Sequence, residues 1–178
     1  RWFSSYGNNL LCSLYLEFTK DFKSPIYALN FATSLSVLKT VNFFSKEKCF
    51  IKWPNDILSE NRKISGILIE NNFKSSHLSY SIIGTGINVN QTRFNNLKHA
   101  TSLKLISGKN IDLDEVLDQL LKNYATYFKR IHDIKYLSKE FNQNLYGKNK
   151  CKFLIKEKIF NGKVERVLNN GNLVAQIE

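Results

Sequence analysis

The chain has 178 residues, 43% of them hydrophobic, and a formal net charge of +11. That length allows one ordinary domain, or a core domain with a small appendage, and the composition allows a real core. No run of roughly 18 apolar residues occurs, and Arg1-Trp2-Phe3-Ser4 lacks the charge-then-apolar layering of a signal peptide, so neither a membrane span nor secretion is expected and the protein is placed in the cytosol.

Cys12, Cys49 and Cys151 lie far apart and outside any Cys-x-x-Cys pattern, which argues against a disulfide framework or a zinc site. His77, His99 and His132 are equally scattered and receive no catalytic role. The positive balance implies attraction to anions, but composition does not separate nucleic acid from a nucleoside triphosphate or an acidic protein. The basic residues are densest at Lys148, Lys150, Lys152, Lys156, Lys158 and Lys163, a run that reads equally well as a solvated face. The chain has no methionine and opens on a tryptophan-bearing segment without a cap or turn, so further residues of the native protein are expected upstream.

In chain order, the turn signal Gly7-Asn8-Asn9 precedes a strand over Leu10 to Phe18. Ser24-Pro25 reads as an N-cap with proline at the first helical position. Ala28, Leu29, Phe31, Ala32, Leu35 and Leu38 then follow at helical spacing and form one apolar stripe for packing on a sheet. A short strand over Cys49 to Lys52 runs into Trp53-Pro54-Asn55-Asp56, where proline removes a ladder donor and the chain must turn.

Ile57-Leu58, the turn Ser59-Glu60-Asn61-Arg62 and Ile64 to Ile69 read as a hairpin, followed by a polar connector over Glu70 to Ser79 and a strand over Leu78 to Val89. A short helix over Ser102 to Ile106 stops at Gly108. Asp112-x-x-Glu115 starts a longer helix, with Val116, Leu117, Leu120, Leu121, Tyr124, Phe128 and Ile131 on one face, and another helix covers Ile134 to Leu145. From Lys150 the pattern changes to short β segments at Cys151 to Ile155, Lys163 to Leu168 and Leu173 to Ile177, the last two joined through Asn169-Asn170-Gly171. A division into a core of residues 1–146 and a small β module of residues 147–178 is expected.

Three segments pair a rigid turn with polar groups that a packed core does not need: Lys52-Trp53-Pro54-Asn55-Asp56, the stretch from Lys63 through Ser65-Gly66 to Glu70, and Gly84-Thr85-Gly86-Ile87-Asn88. Taken singly, the first reads as a strand-end turn and the last as a strand with a bulge. Glycines inside a strand forfeit packing, however, and so suggest a ligand or another backbone lying against them.

In this order and spacing, and with Arg1-Trp2-Phe3-Ser4 and Gly7-x-Asn9-Leu10 ahead of them, these segments resemble the biotin–protein ligase family over about the whole chain. The resemblance implies an α+β fold, a mixed β-sheet packed by helices of the class II synthetase-like or biotin/lipoate ligase type, with an SH3-like β module at the end. It implies activation of biotin by ATP to biotinyl-5′-AMP and transfer to a lysine of a biotin carboxyl carrier domain. It places Lys63 as the catalytic lysine at the activated carboxyl and phosphate, a compact charge able to follow developing negative charge.

The same resemblance puts Gly66, Leu68, Gly84, Gly86 and Ile87 beside Lys63 around biotin, the glycines leaving room for its fused rings. Trp2, Lys52, Asn55, Asp56 and Asn88 fall around the nucleotide, Asp56 acting on Mg²⁺ directly or through a water. Neither step needs a covalent enzyme intermediate, which agrees with the absence of a Ser-His-Asp or Cys-His arrangement.

The family's glycine- and arginine-rich loop lies just before the Arg-Trp pair, its tail usually continues past a segment like Leu173 to Ile177, and Leu11 stands where some members have an aromatic. This polypeptide by itself is therefore expected to be inactive and its parent protein active. Alternatives are a lipoate–protein ligase, a nucleic-acid-binding or regulatory module and a degenerate ligand-binding remnant. Nucleic acid and membrane are not expected partners of this segment. The reading reduces to one spatial expectation, that Lys63 and the glycines 84 and 86 line opposite sides of a single slot.

Overall fold

A computed structural model describes Ser4, residues 6–95 and residues 97–178. Five strands form one sheet: β1 (Asn9–Glu17), β2 (Cys49–Lys52), β3 (Asp56–Ser59), β4 (Arg62–Lys74) and β5 (His77–Asn88), in the order β1-β5-β4-β3-β2. A second sheet holds β6 (Cys151–Ile155), β7 (Lys158–Val167) and β8 (Leu173–Ile177). Every ladder between these strands is antiparallel, and parallel pairing occurs as isolated bridges at Ile51–Leu145 and Lys63–Ala100. The expected α+β class is thus present, and among the described residues no helix is long and apolar enough to cross a membrane.

Helix α1 (Tyr27–Phe44) lies against α3 (Leu113–Phe128), α4 (Ile134–Gln143) and the sheet. One apolar stripe would not suffice for this position. Its polar Thr33, Ser34, Ser36 and Thr40 are buried along with Ala28, Leu29, Phe31 and Leu35, so nearly the whole circumference is covered. Small hydroxyls suit such a helix because they can return a hydrogen bond to its own turn, as Ser36 Oγ does to Ala32 O at 2.7 Å and Thr40 Oγ1 to Ser36 O at 2.9 Å.

The helix begins later than Ser24-Pro25 suggests. Its cap position is Ile26, without a side-chain cap, and Ser24 Oγ instead meets His132 Nδ1 at 2.6 Å. A turn closed by Ala28 N–H on Pro25 O at 2.8 Å leads into it.

Elsewhere Gly108 and Asp112 bound helices as read, whereas Ser102, read as the first helical residue, is a cap, and Asp133 is a cap that the sequence reading did not single out. Ser102 Oγ accepts from Leu105 N–H at the start of α2 (Leu103–Ser107), and Gly108 ends it at φ 80°. Asp112 caps α3 and Asp133 caps α4. The α3 stripe is narrower than expected: Val116, Leu120, Tyr124 and Tyr127 are buried, Leu121 faces solvent, and Ile131 lies beyond the helix. Helix α4 ends at Gln143, two residues before Leu145.

The stretch expected as a connector over Glu70 to Ser79 is the end of a long hairpin, with β4 running to Lys74 and β5 starting at His77. Its polarity reflects a ribbon end that is exposed over much of its length, not an absence of strand. Likewise β7 starts at Lys158, so a tight turn at Lys156-Glu157, both with positive φ, joins it to β6.

The small sheet is anchored to the larger one. Trp53 donates its indole N–H to Gly171 O at 2.9 Å, Asn142 accepts Val167 N–H at 2.6 Å, and Val164 and Val167 join the hydrophobic core. Gly171 has φ +90°, and a Cβ there would lie 2.4 Å from the Tyr27 ring. Left-handed backbone and close approach both call for glycine at that turn.

Candidate active site

Side chains alternate across a strand, so one face of β5 carries Ile83, Thr85 and Ile87 towards the helices and the other carries Ile82, Gly84 and Gly86. On the second face Gly86 sits between Leu11 of β1 and Gly66 of β4, and Gly84 sits between Ser13 and Leu68. Two successive positions without side chains, flanked by Leu11 and by a Leu68 that is 59% exposed, make a trough along β5. Nothing in the fold requires glycine at 84: a Cβ there would meet Leu68 O at 3.7 Å and Leu68 Cβ at 3.8 Å, ordinary contacts. A glycine that the protein itself could replace suggests space kept for something else.

Lys63 reaches this face through an irregularity. Residues 63 and 66 are three apart, so in a regular strand they would point to opposite faces. The pairing of β3 with β4 slips between Ile57 and Leu58: Ile57 faces Ser65 while Leu58 faces Lys63, leaving Ile64 as an extra residue. This bulge turns Lys63 to the side of Gly66 and Leu68. It is held by a flanking segment, with Lys63 N–H on His99 O at 2.7 Å and Thr101 N–H on Lys63 O at 2.9 Å.

Lys63 Nζ lies 2.6 Å from Asp56 Oδ1. The Trp53-Pro54 bond is cis, and the turn that follows is fastened to β4 by Ile67 N–H on Asn55 O and Asn55 Nδ2 on Ile67 O, both 2.9 Å.

Together these elements enclose a cavity of about 520 Å³, lined among others by Leu11, Ser13, Asn55, Lys63, Gly66, Leu68, Gly84 and Gly86. That volume lies in the range of small-molecule sites, and apolar walls with a few convergent polar groups are their usual make-up. Lys63, Asn55, Gly66, Leu68, Gly84 and Gly86 are therefore brought together, with Asp56 against Lys63.

Other expected site residues are not in the slot. Ile87 is 0% exposed and packs in the core, because alternation puts it on the helix face once Gly86 takes the open one. Asn88 is 5% exposed, and its amide donates to Thr101 O at 2.9 Å, tying down the segment that flanks Lys63. Lys52 ends β2 with its side chain in solvent and outside the cavity lining. Trp2 lies outside the described residues. Among the described residues, no group of three or more His, Cys, Asp or Glu could hold a metal ion.

Residue-by-residue reading gave no role to four contributors, Ser13, Thr85, Tyr124 and Ser65. Ser13 shares a row with Gly84, a position that alternation along β1 could have flagged. Beneath the floor, Thr85 Oγ1 and Tyr124 OH share a buried 2.6 Å hydrogen bond, and burial pushes the Tyr124 phenol far above its ordinary value although Thr85 opposes the shift. Ser65 donates to Gly86 O at 2.7 Å and fixes the two central strands at the glycine.

Residues 1–88 match the Biotin/lipoate A/B protein ligase family. The bifunctional ligase/repressor BirA of Bacillus spizizenii is 36% identical over 135 residues, 71% of this chain and 41% of that protein. BirA of Escherichia coli (strain K12) is 30% identical over 93 residues, 52% of this chain and 29% of that protein. The chain thus spans well under half the length of these curated relatives.

The apo biotin protein ligase of Aquifex aeolicus superposes with a TM-score of 0.77 at 28% identity, covering 99% of this chain and 84% of that one. The same enzyme in complex with biotin and ATP gives 0.76 at 27%, covering 96% and 75%. A family match on the segment that builds the slot, joined to a superposition over almost the whole chain, leads to one conclusion: residues 1–88 are a segment of the Biotin/lipoate A/B protein ligase family.

Proposed function

We propose that the protein of which this chain forms part activates biotin with ATP to biotinyl-5′-AMP and passes it to a lysine of a biotin carboxyl carrier domain. The observation that carries this reading is the meeting of Lys63 with the glycines 84 and 86 around one slot. A relative of like fold is described in complex with biotin and ATP, which supports the same pair of substrates here.

In this reading biotin lies on the glycine floor between Leu11 and Leu68, with its carboxylate towards Lys63. The carboxylate attacks the α-phosphorus of ATP and pyrophosphate leaves. The Lys63 ammonium offsets charge that grows on the carboxyl and phosphate oxygens, while Asp56 holds that ammonium in place. Asn55 and Lys52 stand on the nucleotide side, and Trp2 keeps the adenine-covering role that the resemblance assigns it.

Asp56 would be the protein oxygen donor to a Mg²⁺ ion carried in on the triphosphate, giving up part of its contact with Lys63 to do so. Such an ion supplies further neutralisation of the phosphate oxygens. Residues 1–146 then form the catalytic core and residues 147–178 an appended β module, and the reaction takes place in the cytosol.

The test is ATP–pyrophosphate exchange by the full-length protein with biotin or lipoate as the acid. Biotin should support exchange, and Lys63→Ala should lower it by roughly 10²- to 10³-fold while the fold persists. Better exchange with lipoate would move the assignment to the other branch of the family.

A further inference from the structure

Beside the slot lies a second recess of about 270 Å³ that shares Asn55, Ile67 and Leu68 with it. Its remaining wall comes from the start of α1, from Pro54 and from Ile69 and Asn71 of β4. Two polar atoms of this wall, Tyr27 OH and Asn30 Oδ1, are buried without a hydrogen-bond partner. The orientation of the Asn30 amide is set by its other end, because Nδ2 donates to Pro54 O at 3.3 Å and a carbonyl can only accept. The Trp53 indole lies near enough to the Tyr27 phenol to oppose the upward shift that burial gives it, but its one N–H points to Gly171 O at 2.9 Å and is spent there. Buried acceptors left without donors are costly and uncommon, and two of them at one recess suggest a donor that arrives with a ligand.

The recess has a further property. Among the described residues that line it, the only ionisable side chain is the Tyr27 phenol, and none is a carboxylate. A primary amine entering here would find neutral acceptors for its N–H groups and apolar surface on Leu68 and Ile26 for a methylene stem. It would find no negative charge to keep it an ammonium, and a desolvated amine gives up its proton more readily. These are the conditions a lysine needs before it can act as a nucleophile.

Resting on the function proposed above, we infer that this recess is the subsite for the acceptor lysine of the carrier domain, with Asn30 Oδ1 and Tyr27 OH receiving the amine's hydrogens. The ammonium passes one proton to solvent, the neutral nitrogen attacks the biotinyl carbonyl carbon, and the C–N bond forms. The acyl carbon–oxygen bond to phosphate breaks, AMP leaves with its electron pair, and the nitrogen loses a second proton as the amide appears. Asn55 and Leu68, which border both cavities, form the partition the side chain would cross.

The experiment uses the full-length protein with Asn30→Leu, close in volume, and Tyr27→Phe, which removes only the hydroxyl. Biotin-dependent ATP–pyrophosphate exchange reports the first step and the integrity of the slot. Single-turnover transfer from preformed biotinyl-5′-AMP to a biotin carboxyl carrier domain reports the second, and breakdown of the same adenylate by hydroxylamine reports a small amine that needs no subsite.

The expected result is exchange and hydroxylamine breakdown within about twofold of wild type, with transfer to the carrier lowered about 10-fold or more in Asn30→Leu. Equal loss in exchange and transfer would overturn the inference, since Asn30 would then act on the slot through Pro54. Unchanged transfer in both variants would overturn it too. If the wild-type protein shows no biotin-dependent exchange, the underlying function falls, whereas normal exchange with unimpaired variant transfer removes the subsite alone.

Discussion

Replacing Gly84 by alanine separates the needs of the fold from those of the slot. The new methyl group would sit 3.7 Å from Leu68 O and 3.8 Å from Leu68 Cβ, with no atom to displace and no positive φ to strain. The unfolded chain meanwhile loses conformational freedom, so stability should hold or rise by about 0.4–1 kcal/mol. In the trough the same methyl group stands on the floor between Ser13 and Leu68. A ligand lying there is lifted or clashes, at a cost of about 1–3 kcal/mol, equivalent to roughly 5- to 150-fold weaker binding. Thermal melting without ligand and calorimetric titration with biotin measure the two effects on one preparation. Biotin affinity equal to wild type would show that nothing lies over Gly84, and a markedly lowered melting point would show that the glycine serves the fold.

Tyr124→Phe strands the buried Thr85 hydroxyl and should destabilise by about 1–3 kcal/mol in denaturant titration, with part of the loss regained when Thr85→Val is added. Gly171→Ala forces a left-handed residue against the Tyr27 ring and should cost about 2–5 kcal/mol. The same change should shift Trp53 emission to the red as its indole loses the Gly171 carbonyl. Burial by itself would raise the Glu140 carboxyl, but hydrogen bonds from Tyr136, Tyr127 and Lys39 outweigh it and lower its pKa. A carboxyl lowered on folding stabilises the protein above its unfolded value, near 4.5, and that contribution disappears as pH falls through the folded value below it. Glu140→Gln should therefore flatten the acid side of the stability–pH curve, as followed by melting temperature across that range.

Much of this protein is written locally. Apolar and aromatic runs of strand length give away β1 and β5, Gly108 and Asp112 mark helix ends, and the three short segments around Lys63, Asn55 and the glycine pair name the lining of the slot, because each depends on neighbours a few residues away. Other features depend on partners that no local pattern contains. Lys63 faces the slot only because Ile64 is an extra residue in the ladder with β3, and a single insertion reverses the parity of a strand. That parity, with Gly86 on the open face, also sends Ile87 into the core, where its apolar character had looked suited to a pocket wall. Asn88, polar in sequence, is consumed by the carbonyl of Thr101, and Thr85 by a tyrosine 39 positions away. The second recess is less legible still, since it exists only where the start of α1, the turn after Trp53 and the edge of β4 converge, and its two orphaned oxygens acquire meaning only from what surrounds them.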